Sequence, residues 1–323
     1  MKQGMSRREF LAVSAAAGLG LAAAGRLGAE ETMLKTKLYK AMICGKPAEG
    51  ELEKLKAAGF HGVETGAWNL PPAEAEQCRK VAEKVGMKIQ SVLRGWMEFN
   101  SKDPAVVAKS VAETETALRA AEGFGADAVL LVPCRIGGMP MPEAWDFDIE
   151  FDPTSGHLKR VVKGDNEKYK AYIEAHDQAV DGSVAAVRQL IPVAEKTKVV
   201  IALENVWNNL WVKPDVFAAF VASFDNPWVK AYFDIGNHVK YAPPEQWIRA
   251  IGPRLSKCHV KDFKLNADGH GGNFCNIRDG SVNWPVVRKA LEGVGYSGWM
   301  TIEGGDCSLE EHSKRLDLII AGK

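Results

Sequence analysis

Eight short apolar runs recur along the chain, and the stretches between them carry helical spacing. No other feature restricts the fold as much. The runs cover residues 39–44, 62–64, 88–93, 128–133, 199–203, 229–234, 255–259 and 299–303. They are rich in Val, Ile and aromatic residues and mostly lack polar alternation. Strands buried on both faces of a parallel sheet read this way. Pro71-Pro72 opens a helical stretch that ends at Gly86, with proline first and glycine last. Residues 104–123 are Ala-rich, with Val106, Val107, Val111 and Leu118 near helical spacing. Pro214 and Pro243 open two more helices, through Phe217, Phe220 and Val221 and through Trp247 and Ile251. Residues 284–291 and 309–320 complete the set. Strand–helix units in this number close into a single-domain α/β fold, a (β/α)8 TIM barrel over residues 30–323. A doubly wound open sheet would need a glycine-rich phosphate turn after the first strand. Cys44-Gly45-Lys46-Pro47 is not such a turn.

Two segments stand outside the rhythm. Residues 135–165 are rich in Gly, Pro and Asp and contain Trp145, Phe147, Phe151 and His157. They follow the fourth strand, on the mouth side of a barrel, where a long connection is expected to act as an active-site lid. Residues 1–29 carry Ser6-Arg7-Arg8-Glu9-Phe10-Leu11 and then a run of small apolar residues. The run is too short and too interrupted for a good membrane span. The segment resembles a twin-arginine export signal, which implies a periplasmic or extracellular protein. It contains no Cys, so no lipid anchor is expected at the cleavage site.

The 41 basic and 41 acidic residues balance. Nothing in that balance points to a nucleic-acid partner. Six cysteines permit disulfides in an exported protein. However, Cys44, Cys134 and Cys258 lie in or beside apolar runs, where a thiol packs as a small hydrophobe. No C-x-x-C spacing suggests structural zinc.

Chemistry concentrates at the ends of the last four strands. Glu204 follows 199–203, Asp234 ends 229–234, His259 ends 255–259 and Glu303 ends 299–303. In a barrel these ends meet at one mouth. Three carboxylates packed together would repel, and a bound cation removes that penalty. The set suits one divalent metal, manganese first, with magnesium, cobalt or zinc as alternatives.

The strings Ala202-Leu203-Glu204-Asn205, Phe233-Asp234-Ile235-Gly236-Asn237-His238, His259-Val260-Lys261-Asp262-Phe263 and Gly295-Tyr296-Ser297-Gly298-Trp299-Met300-Thr301-Ile302-Glu303 together resemble the sugar phosphate isomerase/epimerase family. These are xylose-isomerase-like barrels, and the resemblance runs from about residue 37 to the end of the chain. The pattern is most similar to that of the ketose 3-epimerases. The resemblance implies that Glu204, Asp234, His259 and Glu303 bind one metal and that Glu204 and Glu303 also act as acid and base. In those enzymes a substrate-contacting His lies three residues after the Asp, whereas His238 lies four after Asp234.

The expected reaction is isomerisation or epimerisation of a sugar. A proton leaves the carbon beside a carbonyl, and an enediolate forms. His238, Lys261, Arg278, Glu64, Arg94 and Trp207 are the candidate substrate contacts. Lys261 has the alternative of pairing with Asp262, and Trp96 joins Trp207 as a possible wall against a sugar face. His61, His176 and His312 read as surface residues, and His270 as a loop residue without a task. A lyase or hydrolase acting on an oxidised (3-keto) glycoside would use the same proton abstraction, and a non-catalytic sugar-binding barrel is a third reading. A multi-zinc DNA-repair barrel would need more His at earlier strand ends, where Glu64 and Arg94 stand. The partner is then a small sugar, with no nucleic acid and no stable membrane anchor; a homo-oligomer is left open.

Overall fold

A computed structural model describes residues 34–323. The export signal expected in 1–29 lies outside the described residues. In chain order the elements begin β1 (Leu38–Cys44), α1 (Glu49–Ala57), β2 (Gly62–Thr65), α2 (Pro72–Val85), β3 (Lys88–Trp96), α3 (Pro104–Phe124) and β4 (Ala128–Val132). The short strands β5 (Glu150–Phe151) and β6 (Leu158–Arg160) come next, then α4 (Lys170–Thr197), β7 (Val200–Glu204), α5 (Pro214–Ala222), β8 (Val229–Asp234) and α6 (Pro244–Ile251). The chain ends with β9 (Leu255–Val260), the hairpin β10 (Asp262–Leu265) and β11 (Gly272–Cys275), α7 (Trp284–Gly293), β12 (Gly298–Ile302) and α8 (Leu309–Ile320).

β1, β2, β3, β4, β7, β8, β9 and β12 form a closed parallel barrel in that order, and β12 pairs with β1 to close it. One helix follows each barrel strand. This is the (β/α)8 fold expected from the apolar runs. Alternation along β4 divides its side chains. Val129 and Leu131 join the large core shared with the helices, whereas Ala128, Leu130 and Val132 pack with Ala202 and Tyr232 in a smaller cluster. Helix starts follow local chemistry. Asp103 caps α3 by accepting from the Ala105 N–H at 2.9 Å, and Ser308 caps α8 by accepting from Glu311 at 3.2 Å. Gly86 ends α2 with φ 77°, a conformation that costs glycine little.

Two expectations need correction. His176 and His312 are buried, not surface residues. His176 lies on the face of α4 that carries Tyr172, and His312 lies under the Gly304-Gly305 turn. All six cysteines are free thiols, so no disulfide links the described residues. The segment 135–165 carries the β5–β6 hairpin, and the Asn166 side chain bonds the backbone of Val161 and Val162. Among the described residues, no helix is long and apolar enough to cross a membrane.

Candidate metal-binding active site

Glu204 and Asp234 are the last residues of β7 and β8, His259 is the penultimate residue of β9, and Glu303 lies one residue beyond β12. These strands are neighbours in the barrel, so the four side chains share one arc of the mouth. One ligand atom from each lies within 4.8 Å of the others. His259 Nδ1 is 3.4 Å from Glu204 Oε1 and 2.7 Å from Glu303 Oε2. Asp234 Oδ2 is buried without a hydrogen-bond partner, and His259 Nδ1 and Glu303 Oε2, although 2.7 Å apart, do not meet in hydrogen-bond geometry. Buried polar atoms in proteins are normally satisfied. Oxygen and imidazole donors left open toward one point are what a divalent cation would satisfy, so the residues fit the expected metal.

Three of the four side chains are held by neighbours. Asp234 Oδ1 accepts from the Gly236 and Asn237 N–H groups at 2.8 and 2.7 Å, which directs Oδ2 into the cluster. Asn205 brackets the Asp234 backbone, accepting from its N–H at 2.7 Å and donating to its carbonyl at 3.1 Å. His259 Nε2 lies 2.5 Å from Glu64 Oε2, and the other Glu64 oxygen accepts from Ser91 at 2.5 Å. With Nε2 donating to that carboxylate, Nδ1 is the free ligand atom. Lys261 Nζ sits 2.8 Å from Glu303 Oε1 and 3.5 Å from Asp234 Oδ2.

The electrostatics follow from this crowding. Burial pushes Glu204 up to about 7, with the charge of Glu303 adding to it. Burial likewise pushes Asp234 up to about 6, against the pull of Lys261. Burial acts to raise Glu303 as well, but His259 and Lys261 outweigh it and hold Glu303 well below the usual carboxylate range. Burial disfavours a charged His259, yet Tyr232, Glu64 and Glu303 lift it well above an ordinary imidazole.

The other candidate contacts divide. Lys261 is at the site, on Glu303 and Asp234 and not on Asp262. Asp262 accepts from the Phe263, Arg278 and Val282 N–H groups and from Trp284 Nε1, and so organises the loop after β9. Arg278 has φ 76°, and its side chain is exposed. Trp207 is partly buried at the mouth, with Nε1 donating to the Asn237 carbonyl and Phe274 5.0 Å away.

Glu64, Arg94 and His238 are corrected. Glu64 is fully buried behind His259 and positions that ring instead of touching substrate. Arg94 points away from the mouth, pairs with Glu113 of α3 and lies 4.1 Å from the Trp68 ring. The β3–β4 register skips Arg94 between Leu93 and Gly95. The extra residue of such a bulge is the one whose side chain is re-aimed. His238 is buried against Trp247 and Tyr241, with Nδ1 3.1 Å from Asn205 Nδ2. Burial lowers it to about 3, and its neutral ring supports Asn205. His270, read from the sequence as a loop residue without a task, stacks on Trp145 of the segment 135–165 with ring centres 4.1 Å apart. Sequence reasoning missed Asn205 and Asn237, whose only signal was nearness in the chain, one residue after Glu204 and three after Asp234.

Comparison with known proteins agrees with this architecture. A curated relative, an uncharacterized protein of Methanocaldococcus jannaschii, is 24% identical over 132 residues, 39% of this chain and 44% of its own length. The match thus spans less than half of that relative. A 3-keto-D-glucoside 4-epimerase from E. coli superposes with a TM-score of 0.63 at 13% identity, covering 88% of this chain and 99% of its own. D-allulose 3-epimerase from Methylomonas sp. superposes with a TM-score of 0.59 at 17% identity, covering 90% and 96%. At such identities the likeness speaks to fold alone. The family model described as xylose isomerase-like TIM barrel matches residues 52–317, and the chain belongs to that family.

Proposed function

We propose that the chain is a divalent-metal-dependent sugar isomerase or epimerase acting on a ketose or related sugar. One observation carries the reading: ligand-type atoms of Glu204, Asp234, His259 and Glu303 converge at a barrel mouth, and buried atoms of three of these residues lack hydrogen-bond partners. A bound divalent ion, manganese first among manganese, magnesium, cobalt and zinc, supplies Lewis-acid polarisation of a carbonyl.

The protein's own groups move the protons. Glu204 and Glu303 form the acid–base pair, one taking the proton and the other giving one; Lys261, 2.8 Å from Glu303 Oε1, favours its ionised form and so its service as base. They stand on β7 and β12, with β8 and β9 between them. Approach from two sides of one carbon gives epimerisation; transfer between adjacent carbons gives isomerisation. Lys261 neutralises negative charge that develops on the substrate oxygen, and Arg278 is available at the rim for a further contact. In D2O with a panel of ketoses and keto-glycosides, the metal-loaded protein is expected to introduce deuterium at one carbon beside the carbonyl. Glu303→Gln should lower that uptake by about 100-fold or more. Near-normal uptake in the variant removes Glu303 from the mechanism. Tight sugar binding with no uptake in the parent makes the protein a sugar-binding barrel.

A second reading is favoured by the likeness to a protein described as a 3-keto-D-glucoside 4-epimerase. On an oxidised glycoside the same proton leaves the carbon beside the carbonyl, and its electron pair forms a carbon–carbon double bond. The aglycone then departs from the next carbon and takes a proton from the second glutamate. Release of free aglycone separates this lyase from an epimerase. Arg7-Arg8 and the apolar run after them support export to the periplasm or beyond. Cell fractionation with both arginines changed to Lys tests that, and an unchanged distribution counts against it.

A further inference from the structure

We propose that the substrate carries a second sugar ring, which rests on a line of aromatic side chains leading outward from the carboxylate cluster. This rests on the sugar chemistry above and is independent of whether the reaction is epimerisation or elimination. The line starts at the base. Lys261 Nζ is 2.8 Å from Glu303 Oε1 and 5.4 Å from the centre of the Phe274 ring. Phe274 lies 5.0 Å from Trp207, and Lys240 Nζ sits 3.7 Å above the Trp207 ring. The Trp207 carbonyl accepts from Arg135 Nε and Nη2 at 3.1 and 2.8 Å, and the Arg135 guanidinium lies 5.1 Å from the Trp96 ring. Phe274 is therefore one side chain from the cluster and Trp96 several further out. In this proposal a single sugar seated at the cluster meets Phe274, and a second ring is needed to meet Trp96.

Exposure gives the line its meaning. Trp96 and Phe274 are 45% and 46% exposed, among the few large apolar side chains left so open in the described residues. Trp96 ends β3 and Phe274 lies in the loop after β9, so both belong to the mouth side of the barrel. Arg135 and Lys240 lie against this line without a salt bridge among the described residues. Aromatic faces flanked by Lys240 Nζ and by the Arg135 N–H groups not spent on the Trp207 carbonyl complement a pyranose, which presents an apolar C–H face and hydroxyls at its edge. A bare aryl group would leave those donors unused.

The experiment has two arms. First, deuterium uptake is measured on matched keto-monosaccharides and keto-disaccharides. The two-ring substrates should be preferred, and Trp96→Ala and Phe274→Ala should each lower the two-ring to one-ring ratio of kcat/KM by about five- to tenfold. Trp96→Phe should restore most of it. Equal losses on both substrates, or an unchanged ratio, overturn the proposal. Second, calorimetry on the metal-loaded protein compares methyl glycosides with cellobiose, maltose, lactose and trehalose, which contain no ketone to react. Tighter binding of at least one disaccharide, weakened by Trp96→Ala, supports the second-ring site even if no deuterium enters any substrate, a result that would defeat the catalytic reading alone. Stronger binding of phenyl than of cellobiosyl glycosides, or self-association abolished by Trp96→Ala, overturns it.

Discussion

His259 has two ring nitrogens, and Glu64 decides which of them is free. Its carboxylate, itself fixed by Ser91, takes Nε2 and turns Nδ1 toward Glu204 and Glu303. Glu64→Ala should therefore weaken manganese binding by about 10- to 100-fold in calorimetry. Glu64→Gln, which keeps an accepting oxygen, should recover part of that loss; an Ala variant with parental affinity would refute the role. Glu204 makes a prediction about pH. In the metal-free protein burial raises it from 4.5 to about 7, so the folded state keeps a proton that the unfolded chain releases. Its contribution to stability thus falls as pH rises from 4.5 through 7. Glu204→Gln cannot ionise and should exceed the chelator-treated parent in stability by about 1–3 kcal/mol at pH 8, with the gap closing toward pH 4.5. Urea unfolding at both pH values checks this, and a gap independent of pH would sink it. The clustering of Glu204, Asp234, His259 and Glu303 was legible in the sequence because a polar residue that closes an apolar run in a parallel barrel faces the mouth. Arg94 was not, because a bulge turns it toward α3, and bulges leave no mark in the periodicity. His238 was misread because a His in a polar string gives no sign of the Trp247 ring that covers it.

At the scale of elements, the loop after β9 depends on one carboxylate. Asp262 gathers three backbone N–H groups and an indole, and Gly280 lies against it. A Cβ at Gly280 would stand 2.0 Å from Asp262 Oδ1. Gly280→Ala should cost about 2–3 kcal/mol of stability through forced rearrangement of that cluster. Faster amide exchange confined to residues 262–282 would locate the damage; exchange like that of the parent would mean that the loop absorbs the methyl group freely. The same scale separates what the sequence disclosed from what it withheld. All eight barrel strands were readable within a few residues, since burial on both faces forces nearly continuous apolar runs. α1 was missed because it buries only Leu52 and Leu55, too few to set a period. α4 was missed although it is the longest helix described, partly because Pro192 lies inside it. The β5–β6 and β10–β11 hairpins are two to four residues per strand and largely exposed or half-buried, so their pairing was never written in hydrophobic alternation.

For the barrel as a whole, the ligands are unevenly distributed. All four come from β7, β8, β9 and β12, one contiguous half of the closed sheet, and β1 to β4 contribute none. A cation held by this half adds one shared tie to staves already linked by backbone pairing, core packing and side-chain contacts such as Asn205 to Asp234 and His259 to Glu303. It also relieves three crowded carboxylates, two of which burial already drives toward protonation. Manganese at about 100 times its dissociation constant should then add about 2.7 kcal/mol to folding stability, and a chelator should reverse the gain. The stabilisation should not be uniform. Hydrogen exchange with and without manganese should slow most in β7, β8, β9 and β12, and least in β2 and β3, whose link to the cluster runs only through Glu64 and Ser91. Uniform protection would mean that the ion acts on global unfolding without engaging these strands in particular. An unchanged unfolding midpoint would mean that the four side chains do not hold a metal at all, and the proposed proton transfer between Glu204 and Glu303 would then lack the charge that lets two buried carboxylates work so close together.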